Sequence, residues 1–440
     1  MKIAHVLSSY LPDHIAGTEV YVAALVRELK KRNIVSQIVI PFVGKSENLT
    51  YFFEDTIVIK YAEPSLEERS FLTGKLPPKG LSAFIQVLKE QKPDIVHFHE
   101  VAGGVGVGIF HVKAAKEMGF KTVMSFHLAK YTCKTGTLMY LNKTKCDGVI
   151  RELPCSYCWL NESGEKGIKN AVIKAGFLLM NFFKIDTRIL NNRVGTALAL
   201  PRIITESKKN LFTLKNNTNC FIVLTAWYHN VLLKNGIPQT HIKLIKQGIP
   251  NNYFEKNAVN KSLNKLRLIF IGRISHFKGL DVLLSAMSEM STNDVELDIY
   301  GSSTEDDYKN LCLKIVAGKE NIRWKGSILP NLVVQTIKTY DVLCIPSSVC
   351  EMSPLVIQEA FAASVPVLAS DVYGNAEQIT DGENGWLFKF KDIADLKNKI
   401  ELLIQTPLLI ENAKQKIPTV KSFELVAEEH AALYKKVLAE

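Results

Sequence analysis

Short apolar runs, each followed by a loop and then by a helical pattern, recur along this chain and restrict the folds open to it. The first run occupies residues 3–9, and a helical pattern through Val20, Leu25 and Leu29 leads to the next run, at residues 36–41. Such strand–loop–helix–strand units build parallel sheets, because the crossover helix returns each strand in the same direction. The pattern predicts a doubly wound α/β fold whose ligands bind at the carboxyl ends of the strands.

The length of the chain indicates two such domains. Its 440 residues exceed one ordinary domain and fit two of about 200 residues each. The polar stretch over residues 251–265 is interpreted as the linker. We therefore expect an N-terminal domain over residues 1–248 and a C-terminal domain over residues 249–418, followed by an amphipathic helix within residues 419–440.

The distribution of charge narrows the class of partner. The formal net charge is +10, and Lys and Arg far outnumber Asp and Glu in residues 111–250. This asymmetry indicates an anionic surface, which could be a membrane, a polyanionic glycan or nucleic acid. No nucleic-acid-binding signature accompanies it, so nucleic acid is the least favoured of the three, and we expect none.

Apolar runs and cysteines indicate the compartment. The run at residues 1–7 is too short for a secretory signal, and no apolar stretch reaches the roughly 18 residues that a membrane span needs. We expect a cytoplasmic protein with reduced cysteines.

The stretch from Pro346 to Ala362 has the order of a strand end, a loop and a helix. Glu351 lies in the loop, and Glu359 lies in the helical pattern that begins near Pro354. Unpaired N–H groups at a helix N-terminus attract anions, and carboxylates beside such a site can accept hydrogen bonds from hydroxyl groups around a phosphate. The alternative is that both carboxylates are solvated surface charges.

A second strand–helix junction carries two fixed cations. A strand ends at Gly272, and Arg273 and Lys278 lie in the loop that leads to the helix beginning at Leu280. Arginine binds a diphosphate as a fork and lysine binds it as a point charge, so the pair suits a diphosphate group.

Together these residues resemble the donor site of retaining GT-B glycosyltransferases of family 4 (glycosyl transferases group 1). The pair Glu351 and Glu359 is preceded by Pro-Ser and followed by Ala-Phe-Ala-Ala-Ser-Val-Pro. The resemblance implies two Rossmann-like domains facing a central cleft. It implies a C-terminal domain that binds a UDP- or GDP-sugar, an N-terminal domain that binds the acceptor, and a last helix that packs back on the N-terminal domain.

The resemblance also implies the reaction, which is transfer of the sugar with retention of anomeric configuration. The expected acceptor is a glycan or a lipid-linked glycan at the inner membrane face, in the synthesis of a surface polysaccharide such as O-antigen, capsule or exopolysaccharide. Two alternatives stay open: a GT-B sugar-nucleotide epimerase, and a non-catalytic protein that binds glycans or membranes.

Each residue that matches the family has an implied role. Arg273 and Lys278 correspond to the pair that clamps the diphosphate, Glu359 to the ribose ligand, and Glu351 to the ligand of the sugar hydroxyls. His127, which follows a predicted strand at residues 121–126, corresponds to a histidine that contacts the donor sugar. The groups expected around the nucleotide and its diphosphate belong to Gly17, Gly326, Ser353, Pro354 and Leu355.

The expected catalysis uses no divalent metal ion. Many glycosyltransferases hold such an ion with an Asp-x-Asp motif, and no such motif ends a predicted strand here. Arg273, Lys278 and the helix N-terminus near Pro354 would then stabilise the leaving diphosphate.

Four cysteines form a separate motif with the spacing C-x12-C-x8-C-x2-C. Cys133, Cys146, Cys155 and Cys158 satisfy the ligand count of a structural zinc site. An iron–sulfur cluster and a set of unliganded thiols are the alternatives. A bound metal would fold the loop over residues 133–158 on the acceptor side, since no open coordination position is implied.

Residues 167–202 alternate apolar clusters with basic residues, among them Phe182, Phe183, Lys184 and Arg188. One interpretation is an amphipathic segment lying on an anionic membrane surface. The other, which we favour on the sequence alone, is an ordinary pair of helices in the N-terminal domain.

Overall fold

The computed structural model describes residues 1–64, 76–101, 106–162, 167–190, 192–250, 265–291, 293–303 and 305–440. They divide into two compact units. Unit 1 contains Met1–Asn142, Cys146–Lys246 and Phe423–Glu440, and unit 2 contains Lys143–Lys145 and Gln247–Ser422. Residues 251–264, which hold most of the predicted linker, lie outside the described residues.

Unit 1 is built on a sheet of eight strands. The strands of unit 1 are β1 (Lys2–Val6), β2 (Val35–Val43), β3 (Leu49–Phe53), β4 (Thr56–Glu63), β5 (Ile95–His99), β6 (Lys121–Phe126), β7 (Met139–Tyr140), β9 (Cys220–Val223) and β10 (Ile242–Leu244), and the short strand β8 (Thr144–Lys145) belongs to unit 2. The sheet has the order β10-β9-β6-β5-β1-β2-β4-β3. Its neighbouring strands are parallel except for the antiparallel pair β3 and β4. The winding reverses between β1 and β5.

Helices connect these strands. They are α1 (Gly17–Lys30), α2 (Leu81–Gln91), α3 (Ile109–Glu117), α4 (Glu152–Glu162), α5 (Gly167–Phe182), α6 (Arg193–Leu198), α7 (Leu200–Asn216) and α8 (Ala226–Lys234). Two sequence predictions were wrong in detail. The first strand ends at Val6 instead of residue 9, because the chain turns at Ser8 into the loop before α1. Cys155 and Cys158 lie in α4, not in a loop.

Unit 2 is built on a fully parallel sheet of six strands. The strands are β11 (Leu266–Ile271), β12 (Val295–Tyr300), β13 (Ile322–Gly326), β14 (Val342–Ile345), β15 (Val367–Ser370) and β16 (Gly385–Phe388), in the order β13-β12-β11-β14-β15-β16. Its helices are α9 (Leu280–Ser288), α10 (Asp306–Ile315), α11 (Val333–Ile337), α12 (Leu355–Ala362), α13 (Tyr373–Ala376), α14 (Ile393–Gln405) and α15 (Leu408–Gln415). The winding reverses between β11 and β14.

The last helix, α16 (Phe423–Ala439), belongs to unit 1 and completes its core. Phe423, Val426 and Tyr434 of α16 are buried in one hydrophobic cluster with Tyr21 and Leu25 of α1. Burying a large apolar side chain contributes roughly 1.5–3 kcal/mol. The helix is therefore a structural part of unit 1. No helix among the described residues has both the length and the apolar character needed to cross a bilayer.

Candidate functional site

The candidate site in unit 2 lies where the winding of the sheet reverses. Because β11 and β14 are adjacent and parallel, the loops that follow them leave the same edge of the sheet side by side. These loops are residues 272–279 and residues 346–354. The backbone N–H of Ser348 donates to the carbonyl oxygen of Phe277 at 2.8 Å, which joins the two loops directly.

Two glycines allow the loop that contains Glu351 to pack closely. Gly279 has a φ of +64°, and a Cβ added to it would lie 2.0 Å from the carbonyl oxygen of Pro346. A Cβ added to Gly374 would lie 1.9 Å from the carbonyl oxygen of Glu351. Only glycine fits either contact without moving backbone. The loop after β14 is thus held against both the loop after β11 and the start of α13.

Lys278 and Glu351 meet directly. The Nζ atom of Lys278 lies 2.6 Å from Oε1 of Glu351, and the Ser347 hydroxyl donates to the same oxygen at 2.9 Å. The side chains of Lys278 and Glu351 are 32% and 15% exposed, so the pair is largely shielded from water. Arg273, in contrast, is exposed, and no described residue forms an ion pair with its guanidinium group. The structure therefore brings Lys278 to Glu351 and leaves Arg273 open to an anion.

Helix α12 begins beside this pair without a side-chain cap. Pro354 occupies the N-cap position with an extended backbone, φ −65° and ψ 121°, and Ser353 and Leu355 flank it. The amide groups of an uncapped first turn attract anions. Glu359 is the fifth residue of α12, just beyond its first turn, within the helix that the sequence predicted. It is half-buried, and burial raises its pKa to about 7.

Gly326 ends β13, at the same carboxyl edge of the sheet and two strands away from β11. It is exposed, its φ is +75°, and an added Cβ would have no heavy atom within 4 Å. Its carbonyl oxygen accepts a hydrogen bond from the N–H of Gly301 at 2.8 Å, which holds the ends of β12 and β13 together.

In unit 1, Gly17 begins α1 after the loop that follows β1. It is exposed, and an added Cβ would have no heavy atom within 4 Å, so backbone is open there. Glu19 is buried in the same first turn and accepts a hydrogen bond from the Ser9 hydroxyl at 2.7 Å. The first turn of α1 therefore already carries a carboxylate.

His127 lies directly after β6 and belongs to a buried line of histidines. Its Nε2 atom is 3.4 Å from Nδ1 of His99, and Nε2 of His99 is 2.9 Å from Nδ1 of His5. Nε2 of His5 in turn lies 3.2 Å from the Ser36 hydroxyl. Burial lowers the pKa of His127 to about 3, so its ring is neutral at physiological pH. A neutral imidazole has one donor and one acceptor nitrogen, which links the tautomer of each ring to the next.

The sequence analysis missed Glu100, the residue that holds the backbone of His127. The Glu100 carboxylate accepts hydrogen bonds from the N–H groups of His127, at 3.0 Å, and Leu128, at 2.7 Å. Burial raises its pKa to about 7, although these bonds act to lower it. Glu100 follows β5 just as His127 follows β6, so a search for polar residues directly after predicted strands would have found it. His5 was also missed, because its proximity to His99 depends on the strand order.

Two groups of side chains in unit 1 consist of residue types that bind metal ions. Within the described residues, the one group of three ligand atoms lying within 4.8 Å of one another comes from His5, His97 and His99. The ring nitrogens of these histidines already have hydrogen-bond partners, which favours a hydrogen-bonded chain over a metal site. Those partners are Ser36, Ser125, His127, Tyr434 and, between His5 and His99, each other. The eight cysteines are free, and the sulfur atoms of the C-x12-C-x8-C-x2-C motif do not form so close a set.

Two protein-family models match parts of this chain. Residues 252–419 match the family model described as glycosyl transferases group 1, and residues 15–145 match Glycosyltransferase Family 4. These two regions of the chain are similar to glycosyltransferase domains of both kinds. Arg273, Lys278, Glu351 and Glu359 lie within the group 1 match. Residues 146–251, which hold three cysteines of the motif, lie outside both matches.

The chain also resembles curated proteins and solved structures. The chain is 28% identical over 186 residues to a 41.2 kDa protein of the cps region of Klebsiella pneumoniae, covering 41% of this chain and 50% of that protein. It spans about half the length of the curated relatives it matches. Sucrose-phosphate synthase from Thermosynechococcus elongatus superposes with a TM-score of 0.67 at 16% identity, over 100% of this chain and 99% of that one.

A second solved structure, Anabaena HepE in complex with UDP and glucose, superposes with a TM-score of 0.63 at 14% identity, over 99% of this chain and 100% of that one. At these identities the likeness concerns the fold. The predicted fold class, GT-B with two Rossmann-like α/β domains, is confirmed.

Proposed function

We propose that this protein transfers a sugar from a UDP- or GDP-sugar to a glycan or lipid-linked acceptor, with retention of configuration, in the synthesis of a surface polysaccharide. The observation that carries the proposal is the junction of the loops after β11 and β14 in unit 2. At this junction lie the exposed guanidinium group of Arg273, the ion pair between Lys278 and Glu351, and the N-terminus of α12, which has no side-chain cap. The two glycosyltransferase family models that match parts of the chain support the same reaction class.

Each group at the junction has a task in this reaction. Arg273 and the first-turn amides of α12, at Ser353 to Leu355, bind the diphosphate and stabilise its developing charge without a divalent ion. Lys278 shares its charge between the diphosphate and Glu351. Glu351 orients the sugar hydroxyls, and Glu359 binds the ribose. Gly326 lies on the base side of the nucleotide.

In unit 1, Gly17 offers open backbone to the diphosphate, and neutral His127 hydrogen-bonds the donor sugar. The bond between the anomeric carbon and the phosphate oxygen breaks as the acceptor oxygen attacks that carbon from the same face. The acceptor proton passes to the departing diphosphate oxygen. Retention then needs no covalent carboxylate intermediate.

The test of this assignment is the variant Arg273→Ala, measured for turnover and for nucleotide binding. Loss of one such charge-stabilising donor typically lowers the rate about 10²–10³-fold. We expect that loss together with weaker UDP or GDP binding by calorimetry and an unchanged thermal unfolding midpoint. The matched control is Arg202→Ala, another exposed arginine, in unit 1. Near-normal turnover in Arg273→Ala would contradict the assignment.

A thermal-shift screen of nucleotide sugars would identify the donor, because a ligand that binds the native state raises the apparent stability of the protein. With the donor known, release of nucleoside diphosphate that depends on acceptor is expected. Formation of an isomeric nucleotide sugar without acceptor would identify an epimerase. Binding with no release under any acceptor would identify a non-catalytic protein.

We also propose that unit 1 binds the anionic inner membrane surface, where a lipid-linked acceptor would be presented. Between Val172 and Val194, the described residues of α5, of α6 and of the chain between them expose large apolar side chains. Lys184 and Arg193 are exposed among these side chains. Those apolar side chains are Val172 (63%), Leu178 (41%), Leu179 (55%), Phe182 (79%), Phe183 (63%), Ile185 (51%), Ile189 (88%), Leu190 (55%) and Val194 (59%). Exposed apolar clusters rimmed by cations suit an anionic bilayer surface.

Vesicle cosedimentation tests this contact. The wild-type chain is expected to bind phosphatidylglycerol vesicles and not phosphatidylcholine vesicles, since each surface Lys or Arg contributes about 1 kcal/mol to binding anionic lipid. Phe182→Ser/Ile189→Ser should lose most of the binding. Phe52→Ser, a control at another exposed aromatic side chain of unit 1, should keep it. Equal binding to both vesicle types, or no effect of the double substitution, would contradict the proposal.

A further inference from the structure

The C-x12-C-x8-C-x2-C motif lies in a part of unit 1 that the glycosyltransferase function does not use. Cys133 precedes β7, Cys146 directly follows β8, and Cys155 and Cys158 lie one turn apart in α4. The fold thus brings three separate stretches of chain together. All four side chains are half-buried free thiols, so none is in a disulfide.

Backbone amides already donate to three of the four sulfur atoms. The N–H groups of Leu138, Leu141 and Arg151 donate to Sγ of Cys133, Cys158 and Cys155, respectively, each at 3.4 Å. A neutral thiol is a weak acceptor, whereas a metal-bound thiolate needs such donors around it. Sγ of Cys158 and Sγ of Cys155 also donate, as neutral thiols, to the carbonyl oxygens of Met139 at 3.4 Å and Val149 at 3.9 Å. Metal-bound thiolates would keep the amide donors and lose these two bonds.

The same stretch has left-handed backbone at three residues other than glycine. Leu138, Leu141 and Asn142 have φ values of 50°, 51° and 58°, in the left-handed region that side chains with a Cβ disfavour. Between Cys133 and Cys146, only Thr137, Leu138 and Met139 are buried. A segment with so little core commonly depends on a metal or a disulfide.

The short stretch over residues 138–141 connects three of the four cysteines. The N–H of Cys146 donates to the carbonyl oxygen of Leu138 at 2.8 Å, and Sγ of Cys158 lies 3.4 Å from the carbonyl oxygen of Met139. With the bond from the N–H of Leu138 to Cys133, these contacts hold Cys133, Cys146 and Cys158 around one short piece of chain.

We propose that Cys133, Cys146, Cys155 and Cys158 bind one Zn²⁺ ion as a tetrathiolate and that the ion fastens the 133–158 segment. Each thiol releases one proton and forms one Zn–S bond of about 2.3 Å, which draws the sulfur atoms into a closed tetrahedral set. No coordination position stays open, so the ion is structural. Three of the four ligands, Cys146, Cys155 and Cys158, lie outside both family matches, and Cys133 lies within the family 4 match.

Metal analysis of the purified, tag-free chain tests the proposal. Mass spectrometry of the elements should find about one zinc and no iron per chain. Titration of the wild-type protein with a mercurial should release that zinc after about four thiols have reacted, detected with a coloured chelator. This measurement does not require a variant to fold. Zinc-free protein, or iron in equal stoichiometry with a thiolate absorption band, would overturn the assignment.

Substitutions locate the ion. Cys155→Ser/Cys158→Ser should lose the zinc and become sensitive to proteolysis between residues 133 and 158. Cys220→Ser, a control at a buried cysteine of the same unit that is remote in sequence, should keep it. Zinc retained in the double variant would place the ion elsewhere, for example at His5, His97 and His99, and would refute the tetrathiolate site.

Discussion

At the scale of the residue, the ionisation of Glu359 makes the stability of unit 2 depend on pH. Its folded-state pKa is raised by burial to about 7, against 4.5 for the unperturbed group. Above pH 4.5 the unfolded chain releases this proton while the folded chain retains it. The contribution of Glu359 to stability is therefore full below pH 4.5 and is lost as the pH rises through 7. The rise in pKa from 4.5 to about 7 corresponds to a loss of at most roughly 3 to 4 kcal/mol, at about 1.36 kcal/mol per pKa unit.

We predict that Glu359→Gln becomes more stable relative to the wild type as the pH rises from 5 to 8, because the amide carries no proton to release. Denaturant unfolding at the two pH values measures the difference. Glu383→Gln, at an exposed carboxylate of the same unit, is the control and should show no such trend. A constant difference between Glu359→Gln and wild type across this range would contradict a raised pKa.

Residue types, their spacing and the family resemblance together predict Arg273, Lys278, Glu351 and Glu359 as donor-site residues, and that role stays a prediction. The contacts among these residues were not predicted. The 2.6 Å contact between Lys278 and Glu351 was not predicted, because the two lie 73 residues apart and meet only through the order of β11 and β14. For the same reason, the contacts that lead from His127 through His99 to His5 were not predicted from the sequence.

At the scale of the element, the junction of the two loops depends on glycine. Gly279 lies at the start of α9 with left-handed backbone, and its Cα faces the carbonyl oxygen of Pro346. Gly318 also has left-handed backbone, with a φ of +78°, but an added Cβ there would meet nothing within 4 Å. Both positions need left-handed backbone, but only at Gly279 would an added Cβ meet another backbone atom.

We predict that Gly279→Ala destabilises unit 2 more than Gly318→Ala and weakens nucleotide binding, which Gly318→Ala leaves unchanged. Left-handed backbone alone costs an alanine about 1–2 kcal/mol, and the contact with Pro346 adds to this at Gly279 only. Denaturant unfolding and calorimetry with UDP or GDP measure the two effects. Equal destabilisation by both substitutions would show that the close approach carries no energy.

Strand positions were predicted better than the segments between them. The strand predicted at residues 121–126 and the strand predicted to end at Gly272 appear as β6 and β11. Both are buried over most of their length, as expected for strands covered on both faces. The chain from residue 128 to residue 151 has no such periodicity. Its conformation rests on turns with left-handed residues, which composition does not reveal.

At the scale of the whole molecule, the end of the chain returns to the unit in which the chain began. An amphipathic pattern shows that α16 must pack on some surface, but the pattern does not say which core it joins. In the structure, α16 packs in the hydrophobic cluster of unit 1 with α1. Its Tyr434 hydroxyl also lies 2.7 Å from Nδ1 of His97, so the helix supplies both apolar and polar partners to β5.

We predict that deleting residues 423–440 destabilises unit 1 and leaves unit 2 folded. The deletion removes several fully buried side chains, each worth roughly 1.5–3 kcal/mol, and leaves the buried His97 ring without its hydroxyl partner. Hydrogen exchange should show faster exchange of amides in β1 and β5, with β11 and β14 protected as in the wild type. Deleting only residues 438–440, which are exposed, is the control and should change neither unit. If β1 and β5 stayed protected without α16, the core of unit 1 would be complete before the last helix joins it, and the helix would serve a purpose other than stability.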